Sequence, residues 1–362
     1  MTQATVLIMA AGTGGHIFPA LSIARCLQAK GVHVEWLGTP AGMENDVLRD
    51  TDIKLNRLSV NGLRGKGRIA LIKAPFMLLR SVWQAIQLLR RIKPCCVLGM
   101  GGYVTGPGGV AAWLLRRPLL IHEQNAVSGT SNRMLRPLAT RILQAFPGTF
   151  PASDRLVDTG NPVRAEITAM AGQQRDYFNG SRPLRLLVMG GSLGAAAINE
   201  LVPATIAASG LDIEVLHQTG RSKLEQTLER YQHAGVYDPE KHQVLPFISD
   251  MAAAYRWADI VLCRSGAGTL AEIAIAGLPS ILVPYPQAID DHQTANARWL
   301  ADAGAAVLMP QPMMNVARLT EILNSLLKNP QRLLEMAQAA RAKGVPDAGE
   351  KVSVICLEMC HD

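Results

Sequence analysis

Two runs of the chain join an apolar stretch to a glycine turn and a helix-like segment, and both are suited to holding an anion. Val6-Leu7-Ile8-Met9 leads into Ala11-Gly12-Thr13-Gly14-Gly15-His16, and Leu186-Leu187-Val188-Met189 leads into Gly190-Gly191-Ser192-Leu193-Gly194. The first N–H groups of a helix have no partner within it and sit at the positive end of its dipole. A phosphate or a developing negative charge is stabilised there. Glycine lets the backbone approach such a ligand closely. The first copy also places His16 where the turn enters its helix. An imidazole at that point can act as a general base, since the helix dipole disfavours its cation; a hydrogen-bonded structural histidine is the alternative.

Three more clusters carry chemistry. Gly99-Met100-Gly101-Gly102-Tyr103, continuing to Gly106, Gly108 and Gly109, forms a second glycine-rich cradle. His122-Glu123-Gln124-Asn125 is read as lying just after the next strand, at the carboxyl edge where open α/β sheets bind ligands. Cys263-Arg264-Ser265-Gly266-Ala267-Gly268-Thr269 opens a helix that contains Glu272. Glu272 is read on the first helical turn, either accepting from ribose hydroxyls or simply favoured by the helix dipole. Asp290-Asp291-His292-Gln293 offers groups suited to sugar hydroxyls but no familiar metal-ligand spacing. The first glycine turn lacks the G-x-G-x-x-G spacing of a dinucleotide site, and Gly62-Leu63-Arg64-Gly65-Lys66-Gly67 lacks the hydroxyl residue of a P-loop. That basic loop suits a phosphate or a membrane, or is a mobile turn. Asp50-Thr51-Asp52 reads D-x-D but precedes an amphipathic strand, which places it on the surface.

The elements that must position these residues follow from the apolar pattern. Short buried-type runs at 5–10, 33–38, 95–99, 118–121 and 141–145, then at 184–189, 212–217, 243–246, 259–263 and 280–284, alternate with helical segments. That alternation predicts parallel α/β sheets. A chain of 362 residues predicts two domains. The expected division is 1–161 and 162–345, with a last helix at about 346–362 packing back on the first domain. With 48% apolar residues, disorder is excluded. No uninterrupted apolar run approaches a membrane span and no signal peptide is evident, so a soluble cytosolic protein is expected. Six cysteines without a CxxC pair predict reduced thiols.

The net charge of +7 is unevenly placed: residues 53–122 hold twelve Lys or Arg and no acid. That half calls for an anionic partner, and no nucleic-acid module is present. Between Arg68 and Lys93, Ile72, Phe76, Leu79, Trp83 and Ile86 form one helical stripe; Leu71, Leu78, Val82, Ala85 and Leu89 form a second. One stripe must face the core. The other is read on an anionic bilayer beside Lys73, Arg80, Arg90 and Arg91, with Trp113 and Arg116-Arg117 nearby. A helix buried on both sides is the alternative.

Gly12–His16, Gly62–Gly67, Gly101–Tyr103, His122–Asn125, Gly160-Asn161-Pro162-Val163-Arg164, Gly190–Ser192 and Cys263–Gly266 together resemble the bacterial cell-wall N-acetylglucosaminyltransferases that convert lipid I to lipid II. The resemblance runs through nearly the whole chain. It implies an α/β fold of two Rossmann-like domains facing a cleft, the GT-B architecture. It also implies inverting transfer from UDP-N-acetylglucosamine to the C4 hydroxyl of undecaprenyl-diphospho-muramoyl-pentapeptide, with no required cofactor or metal. The first domain would face the acceptor, lipid I, and the anionic surface at the cytoplasmic face of the inner membrane, as a peripheral protein. Other cell-wall synthesis proteins are further partners. By that resemblance His16, or else Glu123, is the base, and Thr13, Gly14, Gly15 and Asn125 touch the donor. Arg164 and Ser192 bind its diphosphate, and Ile248 offers backbone groups to uracil. Ala267, Gly268, Thr269, Leu270, Ala271 and Glu272 hold phosphate and ribose, and Gln293 the sugar. Ala11, Leu193 and Gly268 depart from the usual residues of this pattern and alter the shape of the donor pocket. A UDP-N-acetylglucosamine 2-epimerase and a non-catalytic lipid- or nucleotide-binding module are the alternatives.

Overall fold

A computed structural model describes residues 4–60, 68–191 and 194–361, with the side chains of 68–74, Ile289 and His361 outside that description. The chain divides into two compact units, residues 1–164 with 347–362, and residues 165–346. Unit 1 begins β1 (Thr5–Ala10), α1 (Gly14–Ala29), β2 (His33–Gly38), α2 (Glu44–Val47), β3 (Lys54–Arg57) and α3 (Arg68–Ile92). It continues with β4 (Cys96–Gly101), α4 (Thr105–Leu114), β5 (Leu119–Glu123), α5 (Thr130–Leu135), β6 (Arg141–Gln144) and β7 (Leu156–Asp158). Unit 2 begins α6 (Ala165–Thr168), β8 (Leu184–Met189), α7 (Ala196–Ser209), β9 (Ile213–Gln218), α8 (Leu224–His233), β10 (His242–Leu245) and α9 (Met251–Trp257). It continues with β11 (Ile260–Cys263), α10 (Ala267–Ala276), β12 (Ser280–Leu282), α11 (His292–Ala301), β13 (Ala306–Leu308), α12 (Val316–Leu327) and α13 (Pro330–Lys343). The chain then returns to unit 1 as α14 (Ala348–His361).

Among the described residues unit 1 has a seven-stranded sheet, order β3-β2-β1-β4-β5-β6-β7, and unit 2 a six-stranded one, order β10-β9-β8-β11-β12-β13. Every pairing is parallel, as in β1 with β2 and β4, and β8 with β9 and β11. The central strands are mostly apolar because both faces of a parallel sheet are covered. Side-chain alternation divides β1 between two cores. Val6, Ile8 and Ala10 join α1, Trp36 and the Val352 and Cys356 of α14 on one face. Leu7, Met9 and Ala11 join Ala85 and Leu89 of α3 and Ala111 and Ala112 of α4 on the other. In unit 2, Leu184, Leu186 and Val188 pack on Ile198 and Val202 of α7 and Leu319 and Leu323 of α12.

β7 and β13 lie outside the predicted set, and β3 is the amphipathic strand expected after Asp52. They are short edge or near-edge strands whose residues are largely half-exposed, so they show no buried run. The cysteines require a correction. Cys95 and Cys360 are joined in a disulfide with their Cα atoms 4.8 Å apart. The physical cause is α14, which lies along α1, with Lys30 on Glu350 at 2.6 Å, and ends beside the start of β4. A pairing across 265 residues leaves no spacing signal in the sequence. Cys26, Cys96, Cys263 and Cys356 are free thiols. Among the described residues no helix is long and apolar enough to cross a membrane.

Cys360→Ser is expected to lower the stability of the oxidised protein by about 2–4 kcal/mol in urea unfolding. Peptide mapping without reductant should recover the Cys95 and Cys360 peptides linked; recovering both as free thiols would contradict the pairing.

Candidate active site

In each sheet the strand order reverses once, between β1 and β4 in unit 1 and between β8 and β11 in unit 2. Open parallel sheets bind ligands at the carboxyl ends of the strands flanking that reversal. In unit 1 the turns leaving β1 and β4 meet there. Gly12 (φ +98°) turns the chain into α1, and Thr13 caps it in an extended conformation without a side-chain hydrogen bond. The Thr13 carbonyl accepts from His16 N at 3.1 Å, which closes the first turn and sets His16 on its outer edge. Gly101 (φ +110°) packs against the imidazole: a Cβ there would lie 2.7 Å from His16 Cε1 and Nδ1. At Gly102 (φ +85°) a Cβ would lie 2.2 Å from the Ala11 carbonyl oxygen. The Thr105 hydroxyl accepts from Gly101 N at 3.2 Å and reaches the Gly101 and Met9 carbonyls at 2.8 and 3.3 Å, tying the two turns together.

β5 runs to Glu123, so His122 and Glu123 are its last two residues rather than the start of the following loop. Pairing with β6 explains the extra length, since His122 and Glu123 are in register with Leu143 and Gln144. His122 is fully buried and burial lowers its pKa to about 4, against the raising effects of the Gly160 carbonyl and Glu123. Its Nε2 lies 3.1 Å from Gly160 O, Gln124 Nε2 lies 3.0 Å from its Nδ1, and Gln124 Oε1 lies 2.9 Å from His16 Nδ1. Glu123 is buried with both carboxylate oxygens occupied. Oε1 accepts from Asn125 N and Nδ2 at 3.1 and 3.3 Å, and Oε2 from Gly129 N and Asn132 Nδ2, both at 2.9 Å. Those four donors make Glu123 the organiser of the 123–132 turn. Half-buried Asn125 is held in it, with Thr149 Oγ1 donating to its carbonyl at 3.2 Å. Thr13, Gly14, Gly15, His16, Glu123 and Asn125 are therefore gathered on one edge of unit 1.

In unit 2 the turn after β8 packs against the turn after β9. A Cβ on Gly194 (φ +69°) would lie 1.9 Å from Thr219 O, and one on Gly190 would lie 2.2 Å from Ala195 N. Ser192 and Leu193 lie outside the described residues. After β11, Gly266 caps α10 in an extended conformation without a side-chain bond, so Ala267, Gly268 and Thr269 form a helix start suited to an anion. Glu272 is the sixth residue of α10, in its second turn, which corrects its assignment to the first. There it accepts from the Tyr255 hydroxyl at 2.9 Å. Leu270 and Ala271 are buried on the inner face of α10. Ser265 Oγ donates to Gln293 O at 2.8 Å, and Gln293 Oε1 accepts from Tyr285 N at 2.9 Å, so the start of α11 is fastened to this turn. Ile248 is buried between β10 and α9. Arg164 is the last residue of unit 1 before the chain crosses. Burial pushes the Cys263 thiol up to about 12, which keeps it protonated.

Residues 6–144 match the glycosyltransferase family 28 N-terminal domain, and residues 185–352 match the C-terminal domain of the same family. The chain belongs to glycosyltransferase family 28. A relative from Pseudomonas fluorescens is 55% identical over 99% of both chains, and one from Pseudomonas putida 54% over 98% of both. Both carry the name UDP-N-acetylglucosamine–N-acetylmuramyl-(pentapeptide) pyrophosphoryl-undecaprenol N-acetylglucosamine transferase. The crystal structure of Acinetobacter baumannii MurG superposes with a TM-score of 0.84 at 42% identity, covering 98% of this chain and 99% of that one.

Beside this family 28 site, α3 and α4 pack together and present an apolar face. Phe76, Leu79 and Trp83 are 77%, 67% and 61% exposed, and Trp113 and Leu114 of α4 are also exposed. Leu78 is exposed as well, so among its described side chains the second predicted stripe reaches the core at Ala85 and Leu89. Leu71, Ile72 and Lys73 have side chains outside the described ones, and the loop Gly62–Gly67 lies outside the described residues. Asp50 and Asp52 are exposed in the turn before β3. Sequence reasoning missed Thr105, which joins the two glycine turns, and Tyr255, which engages Glu272. Both bonds join residues of neighbouring elements, and no local pattern announces them.

Gly102→Ala is expected to cost about 1–3 kcal/mol in strain alone, more with the Ala11 clash, and to lower the thermal midpoint of unit 1. An unchanged unfolding curve would mean that the two turns are not in contact.

Proposed function

We propose that the chain transfers N-acetylglucosamine from UDP-N-acetylglucosamine to the C4 hydroxyl of the muramoyl sugar of undecaprenyl-diphospho-muramoyl-pentapeptide, making lipid II from lipid I for peptidoglycan synthesis. The observation that carries this reading is identity above 50% across both family 28 domains to relatives named for that transfer. It is a hexosyl transfer with inversion. The acceptor hydroxyl attacks C1 of the donor sugar through an oxocarbenium-like transition state, and UDP leaves.

In this reading His16 takes the hydroxyl proton. Its place at the edge of the β1 turn supports the role, whereas the Glu123 carboxylate is engaged by four donors. Thr13, Gly14, Gly15 and Asn125 approach the donor sugar from unit 1. The second unit holds the nucleotide: Ile248 at the base, Glu272 at the ribose, Gln293 at the sugar. Arg164, Ser192 and the amides of Ala267, Gly268 and Thr269 offset the charge that builds on the departing β-phosphate, while the Leu270 amide is already bonded to the Gly266 carbonyl. The apolar face of α3 and α4, with Arg80 and Arg116 exposed around it, supports peripheral binding to the anionic cytoplasmic face of the inner membrane, where the lipid acceptor resides. The lack of acids across residues 53–122 supports the same contact.

Incubation with UDP-N-acetylglucosamine and a short-chain lipid I analogue should give a disaccharide product that requires both substrates; release of N-acetylmannosamine without acceptor would instead identify a 2-epimerase. His16→Ala should lower kcat about 10²–10⁴-fold with UDP affinity retained by calorimetry, and Glu272→Ala should do the converse, weakening UDP. Near-normal turnover of the first variant would remove His16 from the role. For the membrane contact, co-sedimentation with phosphatidylglycerol vesicles should fall several-fold in Phe76→Ser/Trp83→Ser and in high salt. Equal binding to neutral vesicles would refute the anionic component.

A further inference from the structure

His16, Gln124 and His122 form a single line of hydrogen bonds, and the direction of every proton in it is set by two backbone carbonyls. Gln124 Nε2 lies 3.2 Å from the His122 carbonyl oxygen, which can only accept. The nitrogen is therefore the donating amide group, and its other hydrogen goes to His122 Nδ1 at 3.0 Å. His122 Nδ1 then presents a lone pair, so the ring carries its proton on Nε2. That proton is donated to the Gly160 carbonyl at 3.1 Å. Starting from Gly160 gives the same direction, because a carbonyl there demands a proton on His122 Nε2. Turning the Gln124 amide over would set its oxygen against the His122 carbonyl oxygen and against a lone pair, with no donor for either. Gln124 Oε1 is thus the atom that faces His16, and it accepts from His16 Nδ1 at 2.9 Å.

We propose that Gln124, braced by His122, is a positioning residue that holds His16 in its Nδ1-protonated tautomer, leaving Nε2 as the ring atom that takes the acceptor's proton. The inference rests on the reading of His16 as the base and deepens it. Two further features hold the line in place. His122 is wholly buried, which keeps its ring neutral, so it supplies one donor and one acceptor. Gly101 lies against the Cε1–Nδ1 edge of His16, where a Cβ would come within 2.7 Å, and this contact confines the ring to the orientation that meets Gln124.

The test is the ¹⁵N spectrum of the histidine-labelled full-length protein at neutral pH, with the His16 signals identified by their loss in His16→Ala. The expected spectrum has a protonated Nδ1 and an unprotonated Nε2 for His16 in the unmodified protein. Gln124→Leu should move that population toward the Nε2-protonated form. It should also lower kcat about 10- to 100-fold with the KM for UDP-N-acetylglucosamine unchanged. An Nε2-protonated His16 in the unmodified protein would overturn the inference whatever the activity, and needs no variant to fold. An Nδ1-protonated His16 that persists in Gln124→Leu would remove Gln124 from the role. Retention of turnover by His16→Ala, with the tautomer as expected, would instead refute the reading of His16 as the base and leave the tautomer assignment standing.

Discussion

The approach of two backbone turns at the reversal of the first sheet is the constraint on which the site depends. β1 and β4 are adjacent and parallel, so the segments leaving them must pass within contact distance. There is no room between them for a side chain at Gly101 or Gly102. The missing Cβ atoms therefore decide where His16 sits, since its ring rests on Gly101 and its helix begins beside the Ala11 carbonyl that Gly102 meets. The second sheet has a close approach of its own beside the reversal, Gly194 of the β8 turn against the Thr219 carbonyl after β9. In both units a glycine at positive φ stands where a strand end must meet its neighbour's turn.

Buried polar groups then hold those turns in one arrangement. A buried donor or acceptor without a partner costs about 1–3 kcal/mol, so a fully paired set selects one backbone path over its competitors. In unit 1 both oxygens of the Glu123 carboxylate are paired, gathering Asn125, Gly129 and Asn132 around it, with Asn132 Oδ1 left as the unpaired atom of the group. In unit 2 the equivalent group lies beneath the glycine turn. Asn199 Nδ2 donates to the Thr219 carbonyl at 2.9 Å, and its Oδ1 lies 3.1 Å from His217, whose other nitrogen is 3.1 Å from the Tyr231 hydroxyl. Burial lowers the His217 pKa to about 3, so that ring remains neutral within the network. Both networks end on the backbone of a turn that follows the carboxyl end of a strand.

The sequence displays the parts of this fold that are buried on both faces. β1, β4, β5, β8 and β11 are built around apolar runs that are legible as such, although β5 ends in His122 and Glu123 and β8 carries Arg185; the glycine turns after β1 and β8 stand out because they end those runs. Strands such as β7 and β13 have no buried residue, and pairing with a neighbour is all that makes them strands. At the site, residue types were legible and their partners were not. His122 and Glu123 belong to β5 because β6 lies beside them, and Glu272 meets Tyr255 only because α9 and α10 pack together. Cys95 and Cys360 are the extreme case, joined by a contact that exists only after the last helix has returned to the first unit.

That return also changes the covalent topology of the molecule. Unit 2 is an insertion between β7 and α14, and the Cys95–Cys360 bond lies outside both crossings. Residues 95–360 consequently form a closed covalent ring that contains the whole of the second unit. A protease that nicks the backbone once anywhere between residues 165 and 346 opens this ring without releasing a fragment. The two fragments of a nicked molecule, each holding part of both units, stay covalently joined until a reductant parts them.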